Sequence, residues 1–287
     1  MTNLFKDARD FQILFLSTFL FLGVTNRDWT LRIDSLLVVL CSCLLTQIFL
    51  SSIFSRLAEI KRQKAKGKSA SIPGDYLGQW LDISSWRSAL ITALGLCLLL
   101  RANQLMTMVL AGCLAISSKF LFRFDNKHFF NPANFGIIAA ITLTSDAWVS
   151  PGQWGNDWWY LLLFMAAGAA IFKKVGRWET TAVFLLTYGG LEASRNYWLG
   201  WSWDVVQHKL MTGSLLVFAF FMLTDPRSIP NAKISRVIWS FIIAVLAFIL
   251  QEKFYLNQAI FWALFIISPL SVGLDFIWKQ SRFIWQN

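Results

Sequence analysis

Histidine is nearly absent from this chain and charge is thin: 287 residues carry two histidines, and 15% of the whole is charged. Soluble domains run at roughly 25% charged residues, so an ordinary soluble globule is excluded. With only His128 and His208, a multi-histidine haem or metal centre is excluded as well, although two axial ligands would still be available. The four cysteines, Cys41, Cys43, Cys97 and Cys113, all fall inside apolar runs and show no paired spacing near histidines, which reads as packing rather than zinc or redox chemistry. There is no HExxH, no Walker A, no GxGxxG followed by an acid and no supported Ser/His/Asp set. Strict apolar and polar alternation is also missing, which removes a transmembrane barrel. The first apolar stretch, residues 11–24, ends in Thr-Asn-Arg-Asp rather than a small-residue cleavage site, so we read it as a span and not a signal peptide.

What is present is apolar length. Hydrophobic residues make up 56% of the chain and mean hydropathy is +0.53. Runs of about 17–25 apolar residues suffice to cross a bilayer, and backbone in lipid must satisfy itself, which leaves helices. The sequence predicts ten spans, near 11–24, 34–55, 88–101, 103–122, 133–149, 157–172, 178–194, 207–224, 236–252 and 256–276. It therefore predicts an all-α integral membrane protein with one polytopic domain over residues 1–287. With the N-terminus inside, 20 of the 26 Lys and Arg residues fall on inner segments. The positive-inside rule then puts both termini in the cytoplasm. The net charge of +10 is explained by topology, and no nucleic acid is implied. Residues 56–68 form the most basic inner loop, suited to anionic headgroups or serving only as a topology signal. Trp154, Trp158, Trp159, Trp198, Trp201 and Trp203 read as an outer interfacial belt.

An internal repeat is suggested. Ala89-Leu90-Ile91-Thr92-Ala93-Leu94 parallels Lys209-Leu210-Met211-Thr212-Gly213-Ser214 at an offset of 120 residues. Asn131-Pro132-Ala133-Asn134-Phe135 parallels Asn257-Gln258-Ala259-Ile260-Phe261 at about 126. Chance similarity between apolar segments is the alternative. Two halves of five spans, residues 1–150 and 151–287, would have opposite sense in the membrane, with a site where spans 3, 5, 8 and 10 meet.

Within that frame a few polar residues could carry chemistry. Asn131 is a natural N-cap with Pro132 at the first helical position, and the helix start beyond them, with Asn134 and Gly136, would favour an anion or carbonyl. A capped helix without a ligand is the plainer reading. His208 opens span 8, followed by Thr212, Gly213 and Ser214, which allow either close packing or hydrogen bonding within the bilayer. Thr224, Asp225 and Pro226 end that span. Asp225 is an ionisable group near membrane depth, or else an interfacial turn cap. Glu192 and Arg195, three apart on one face, predict an ion pair.

These segments resemble a known family. His128-Phe129-Phe130-Asn131-Pro132-Ala133-Asn134-Phe135-Gly136, Lys174-Val175-Gly176-Arg177-Trp178, and His208 through Phe220-Phe221-Met222-Leu223-Thr224-Asp225-Pro226 are similar to motifs of the RnfD/NqrB family. That family comprises the D subunit of the Rnf complex and the B subunit of the sodium-pumping NADH:quinone reductase. Ser268-Pro269-Leu270-Ser271-Val272-Gly273-Leu274-Asp275 resembles its closing segment. The resemblance implies a urea-transporter-like bundle of two inverted five-helix halves, lipid and other membrane redox subunits as partners, and a role in electron transport coupled to ion movement. It departs from the family between spans 5 and 6. There the family carries covalent FMN on a threonine in a long insertion, whereas residues 150–157 are short and hold no threonine. Covalent FMN is therefore not expected, and a non-covalent flavin near Asn131, Asn134, Gly136, His208, Thr212, Gly213 and Ser214 stays open. A small-solute channel of the same fold and a membrane scaffold are the alternative functions.

Overall fold

The computed structural model describes residues 7–27, 32–65, 83–125, 127–152 and 158–283. They are mostly helical. In chain order the elements are α1 (Ala8–Arg27), α2 (Ile33–Ala65), α3 (Ile83–Leu99), β1 (Leu100–Ala102), α4 (Leu105–Leu121), β2 (Arg123–Phe124), β3 (Lys127–His128), α5 (Pro132–Leu143) and β4 (Ala147–Val149). Then follow α6 (Trp158–Val175), α7 (Trp178–Leu199), α8 (Trp203–Leu210), α9 (Gly213–Val217) with a π-helical turn (Phe218–Met222), α10 (Lys233–Phe254), α11 (Ala259–Ile267) and α12 (Leu270–Ile277).

Helix thus occupies each stretch expected to span, but the lengths differ. Among the described residues, four helices are long and apolar enough to cross a membrane, within Ala8–Thr25, Ile33–Leu57, Trp158–Val175 and Lys233–Phe254, and a fifth crossing results if α11 and α12, bent by 46°, are one span. Spans 3 and 5 end sooner than the apolar runs do. After Leu99 and Leu143 the chain goes over to β1 and β4, which pair antiparallel with Arg101 opposite Trp148. A second short pair, β2 with β3, sets Arg123 opposite His128. Pairing satisfies backbone groups that a short helix leaves bare. Arg101 adds to this, its Nη1 donating to the carbonyls of Cys97 and Leu100, each at 2.8 Å. The basic stretch expected to be loop begins as helix instead, because α2 continues to Ala65. Its Glu, Lys, Arg, Gln and Ala are strong helix formers. The rest of that stretch, residues 66–68, and Trp154 lie outside the described residues.

Packing brings the elements into two groups. In the first, α3 packs against α1 and α2, and α4 packs against α2 and α5; in the second, α10 packs against α7, α11 and α12. The groups join where α1 meets α6, α5 meets α11, and α3 meets α9. Between apolar helices in lipid, association rests on close packing and hydrogen bonds rather than on a hydrophobic drive. Phenylalanine supplies much of the close packing: Phe19 stacks on Phe164 at 3.9 Å, and Phe218 meets Phe261 edge-on at 5.5 Å. Such ring pairs add about 0.5–1.5 kcal/mol each beyond the area they bury.

The start of α5 is set locally. Asn131, extended at φ −67° and ψ 124°, accepts on its side chain from the Asn134 N–H at 3.1 Å, and Pro132 follows in the first turn. The π turn after α9 shifts the carbonyl ladder, and the loosened oxygens are met by side chains. Thr181 Oγ1 donates to Ala219 O at 2.5 Å, and Thr224 Oγ1 donates to Phe220 O at 2.6 Å. Single π turns inside α-helices are frequent at functional sites.

Candidate functional site

A cavity of about 70 Å³ opens where α1, α3, the start of α5 and the π turn converge. Its walls are apolar along Leu16, Ile91, Val217 and Phe221, and polar at one end, where Arg9, Ser88, His128, Asn131, Asp225 and Arg227 gather. Water needs roughly 10–15 Å³ on such a measure, so a few waters or one small ion fit.

Each polar group has an identifiable origin. Arg9 is buried at the start of α1, its Nε donating to Asp7 Oδ2 at 2.8 Å while the Arg9 N–H donates to Asp7 Oδ1 at 2.9 Å. Arg87 Nε reaches Asp10 Oδ1 at 2.7 Å and ties α3 to α1. Behind the wall, Lys119 Nζ donates to Ser88 O at 3.0 Å and to Ser88 Oγ at 3.1 Å. His128 Nε2 lies 3.7 Å from Asp225 Oδ2. Burial pushes the His128 imidazole down, so it is neutral near pH 7. Burial alone would raise the Asp225 carboxyl, but interaction with His128 and the Arg227 N–H, which donates to its Oδ1 at 3.2 Å, hold it below the ordinary carboxylate range.

The cavity end therefore joins a neutral imidazole and a carboxylate to surrounding cations and to the N-terminus of a helix, whose partial charge is positive. Chemically it can hold water, a small anion or an electron-rich oxygen, and His128 can take up and release a proton beside Asp225. It does not fit an isoalloxazine ring, since drug-sized ligands occupy pockets of about 300–1,000 Å³.

The residues singled out from sequence divide between two places. Asn131 lines the cavity, and its Nδ2 donates to Met222 O at 3.5 Å across the junction with the π turn. Asn134 points the other way. Its Nδ2 donates to Phe261 O on α11 at 3.1 Å, and its Oδ1 has no partner among the described residues. Gly136 is a packing position, because a Cβ there would sit 2.7 Å from Ala111 O. Asp225 lines the cavity, while Thr224 caps the π turn beside it and the buried Pro226 starts the turn out.

At the other end of α9 lie His208, Thr212, Gly213 and Ser214, about 15 Å away by helical rise. His208 is exposed on α8. The Gly213 and Ser214 N–H groups donate to Gly152 O and Pro151 O at 3.0 and 3.1 Å, and Thr212 Oγ1 donates to Lys209 O at 3.5 Å. The connection after β4 thus takes the donors that a ligand at this helix start would use.

Spans 3, 5, 8 and 10 do meet, through Gly95 against Ala133, Asn134 against Phe261, and Phe218 against Phe261. The cavity, however, is walled by α1 rather than by α11. Arg9, Gln12 and Leu16 on α1, and Ser88, Thr92 and Gly95 on α3, were not foreseen as lining. Their spacing at three, four and seven residues was the available signal.

The expected Glu192 to Arg195 pair is replaced by a longer-range network. Lys209 Nζ reaches Glu192 Oε2 at 2.7 Å and Glu252 Oε1 at 2.8 Å, while Arg195 Nη2 reaches Glu252 Oε2 at 2.7 Å. A lysine facing both carboxylates from α8 leaves Arg195 to the acid on α10.

Residues 144–283 match the sequence model of the NQR2, RnfD, RnfE family. No curated protein matches the chain.

Proposed function

Over residues 144–283 this chain belongs to the NQR2, RnfD, RnfE family of membrane subunits, and from that premise we propose that it serves in membrane electron transport coupled to ion movement, without covalent FMN. In this reading ten helical segments cross the bacterial inner membrane as two inverted halves, residues 1–150 and 151–287, with both termini cytoplasmic and other membrane redox subunits as neighbours. The polar end of the cavity then faces the cytoplasm, as a point where a proton or small ion enters the bundle. The observation that carries the reading is the His128–Asp225 pair on a cavity bounded by the π turn. A neutral imidazole beside a carboxylate is the arrangement by which ionisable residues inside membrane proteins pass protons.

The test is a spectrum and an activity. The detergent-purified protein, before and after acid denaturation, is measured for absorbance and fluorescence, and membranes carrying Asp225→Asn are assayed for redox turnover. A chromophore released by acid, with turnover reduced about 100-fold in the variant, supports the proposal. A colourless protein whose deletion leaves membrane redox activity unchanged defeats its electron-transfer part.

One observation favours a second reading. The cavity is sized for waters and ions rather than for a flavin, which suits a small-solute channel of the same architecture. Flux into proteoliposomes would reveal it, and vesicles tight to a broad panel of solutes would remove it.

A further inference from the structure

A second cavity, about 290 Å³, lies apart from the first, between the β2–β3 hairpin, the turn at Asn231 and the C-terminal helix α12 with the chain that follows it. Its floor is tied together by hydrogen bonds to one carboxylate. Asp275 accepts from the Asn231 N–H at 2.7 Å, from Asn231 Nδ2 at 2.9 Å and from Lys127 Nζ at 2.7 Å. That one carboxylate holds together three segments distant in sequence. The rim is aromatic, with Phe124 and Phe276 edge to face at 5.3 Å and both largely exposed.

The groups still uncommitted all suit an anion. Both acids on the lining are taken, Asp275 by the three donors above and Asp125 by Arg282. Lys279 is exposed and has no ion-pair partner among the described residues. Ser271, 1% exposed, lines the cavity with a hydroxyl that has no hydrogen-bond partner among them. A buried hydroxyl left without a partner is destabilising, and here it sits in the wall of a space large enough to bring it one. Free donors, one free positive charge and an aromatic lip describe a receptor for a phosphate group next to an apolar surface.

We propose that this cavity binds a phosphate group, carried either by an anionic lipid headgroup at the membrane surface or by a free phosphate. The lipid source rests on the membrane reading above, whereas the pocket does not.

The test uses the full chain in detergent. Melting temperature is followed as phosphatidylglycerol or phosphatidylcholine is added to the micelles, and separately as inorganic phosphate replaces chloride at constant ionic strength. Wild type is compared with Lys279→Gln, Ser271→Ala and, as a charge control outside the pocket, Lys253→Gln. A saturable rise with phosphatidylglycerol alone, its half-saturation weakened roughly fivefold in Lys279→Gln and in Ser271→Ala but not in Lys253→Gln, assigns the site to a lipid. The same pattern with inorganic phosphate assigns it to a free phosphate. No saturable rise with either probe, or one that the two pocket variants leave unchanged, overturns the proposal. Because the readout is binding, a colourless or redox-inactive protein would not affect the result.

Discussion

His128 Nε2 and Asp225 Oδ2 face each other at 3.7 Å, one from the hairpin before α5 and the other from the turn that leaves the π helix. The contact joins the two helical groups at the cavity mouth. Both residues are held in the forms that an acid solution removes, the histidine neutral and the aspartate ionised.

That sets the direction of a pH dependence. A histidine whose folded pKa lies below its unfolded value of about 6.5 is protonated more readily in the unfolded chain, so stability falls as pH drops below that value. Asp225 adds a later loss of the same sign, as pH falls below about 4. The melting temperature in detergent should decline between about pH 7 and pH 5, and His128→Gln should flatten that limb. An unchanged slope in the variant would assign the limb to other groups.

Lys209 bridges two acids on different helices, and Glu192 is 2% exposed at its side chain. Removing one partner of a buried ion pair costs about 3–5 kcal/mol, because the other charge is left uncompensated. Lys209→Met should therefore lower thermal stability sharply. Adding Glu192→Gln should restore much of the loss, since the stranded charge goes with it. A double variant no more stable than Lys209→Met would show that the lysine acts through its packing alone.

Sequence exposed what is local. Asn131 and Pro132 announce the start of α5 within two residues, and the structure places the helix there. Apolar length located the helices but not their ends, because β1 and β4, apart from Arg101, continue the apolar runs of the helices before them and are set off by pairing with each other. The phenylalanine run 218–222 read as ordinary helix. In the structure it contains a π turn, whose Ala219 carbonyl accepts from Thr181, a residue on another helix. Arg9 was invisible as a cavity residue, because nothing near it in sequence says that α1 lies against α3. Arg195 was assigned to Glu192 by spacing, yet its partner Glu252 comes from α10, and no local pattern encodes that choice.

Asp146 caps α4 from 39 or more residues away. Its Oδ1 accepts from Thr107 Oγ1 at 2.7 Å and its Oδ2 from the Gln104 N–H at 2.8 Å, where Gln104 supplies no cap of its own. The Thr107 hydrogen bond first, and then the Gln104 N–H, hold the carboxyl below the ordinary range. Its contribution is thus present above about pH 3.9 and fades as pH falls through the lower folded value. Asp146→Ala should melt below wild type at neutral pH, and the two curves should converge in acid. A gap that persists below about pH 2, beneath the ordinary aspartate value, would mean that shape rather than charge makes the cap.

The π turn is pressed against α6 at Gly168, where a Cβ would fall 2.3 and 2.6 Å from Phe220 Cδ1 and Cε1. The Phe220 ring has little freedom to retreat, because it leans on Phe172 at 5.7 Å and its carbonyl is held by Thr224. Gly168→Ala must therefore displace the turn, at the roughly 1–3 kcal/mol that overpacking costs. Gly190→Ala, with nothing within 4 Å of the added carbon, should be neutral or stabilising by up to about 1 kcal/mol through helix propensity. Pairing Gly168→Ala with Phe220→Leu tests the geometry directly, since a smaller side chain that can turn aside should recover part of the melting temperature. If Gly168→Ala alone melts like wild type, the ring is not fixed by its neighbours. The π turn could then not hold Phe221 and Met222 rigidly in the cavity wall, and the cavity would change shape with each motion of α6.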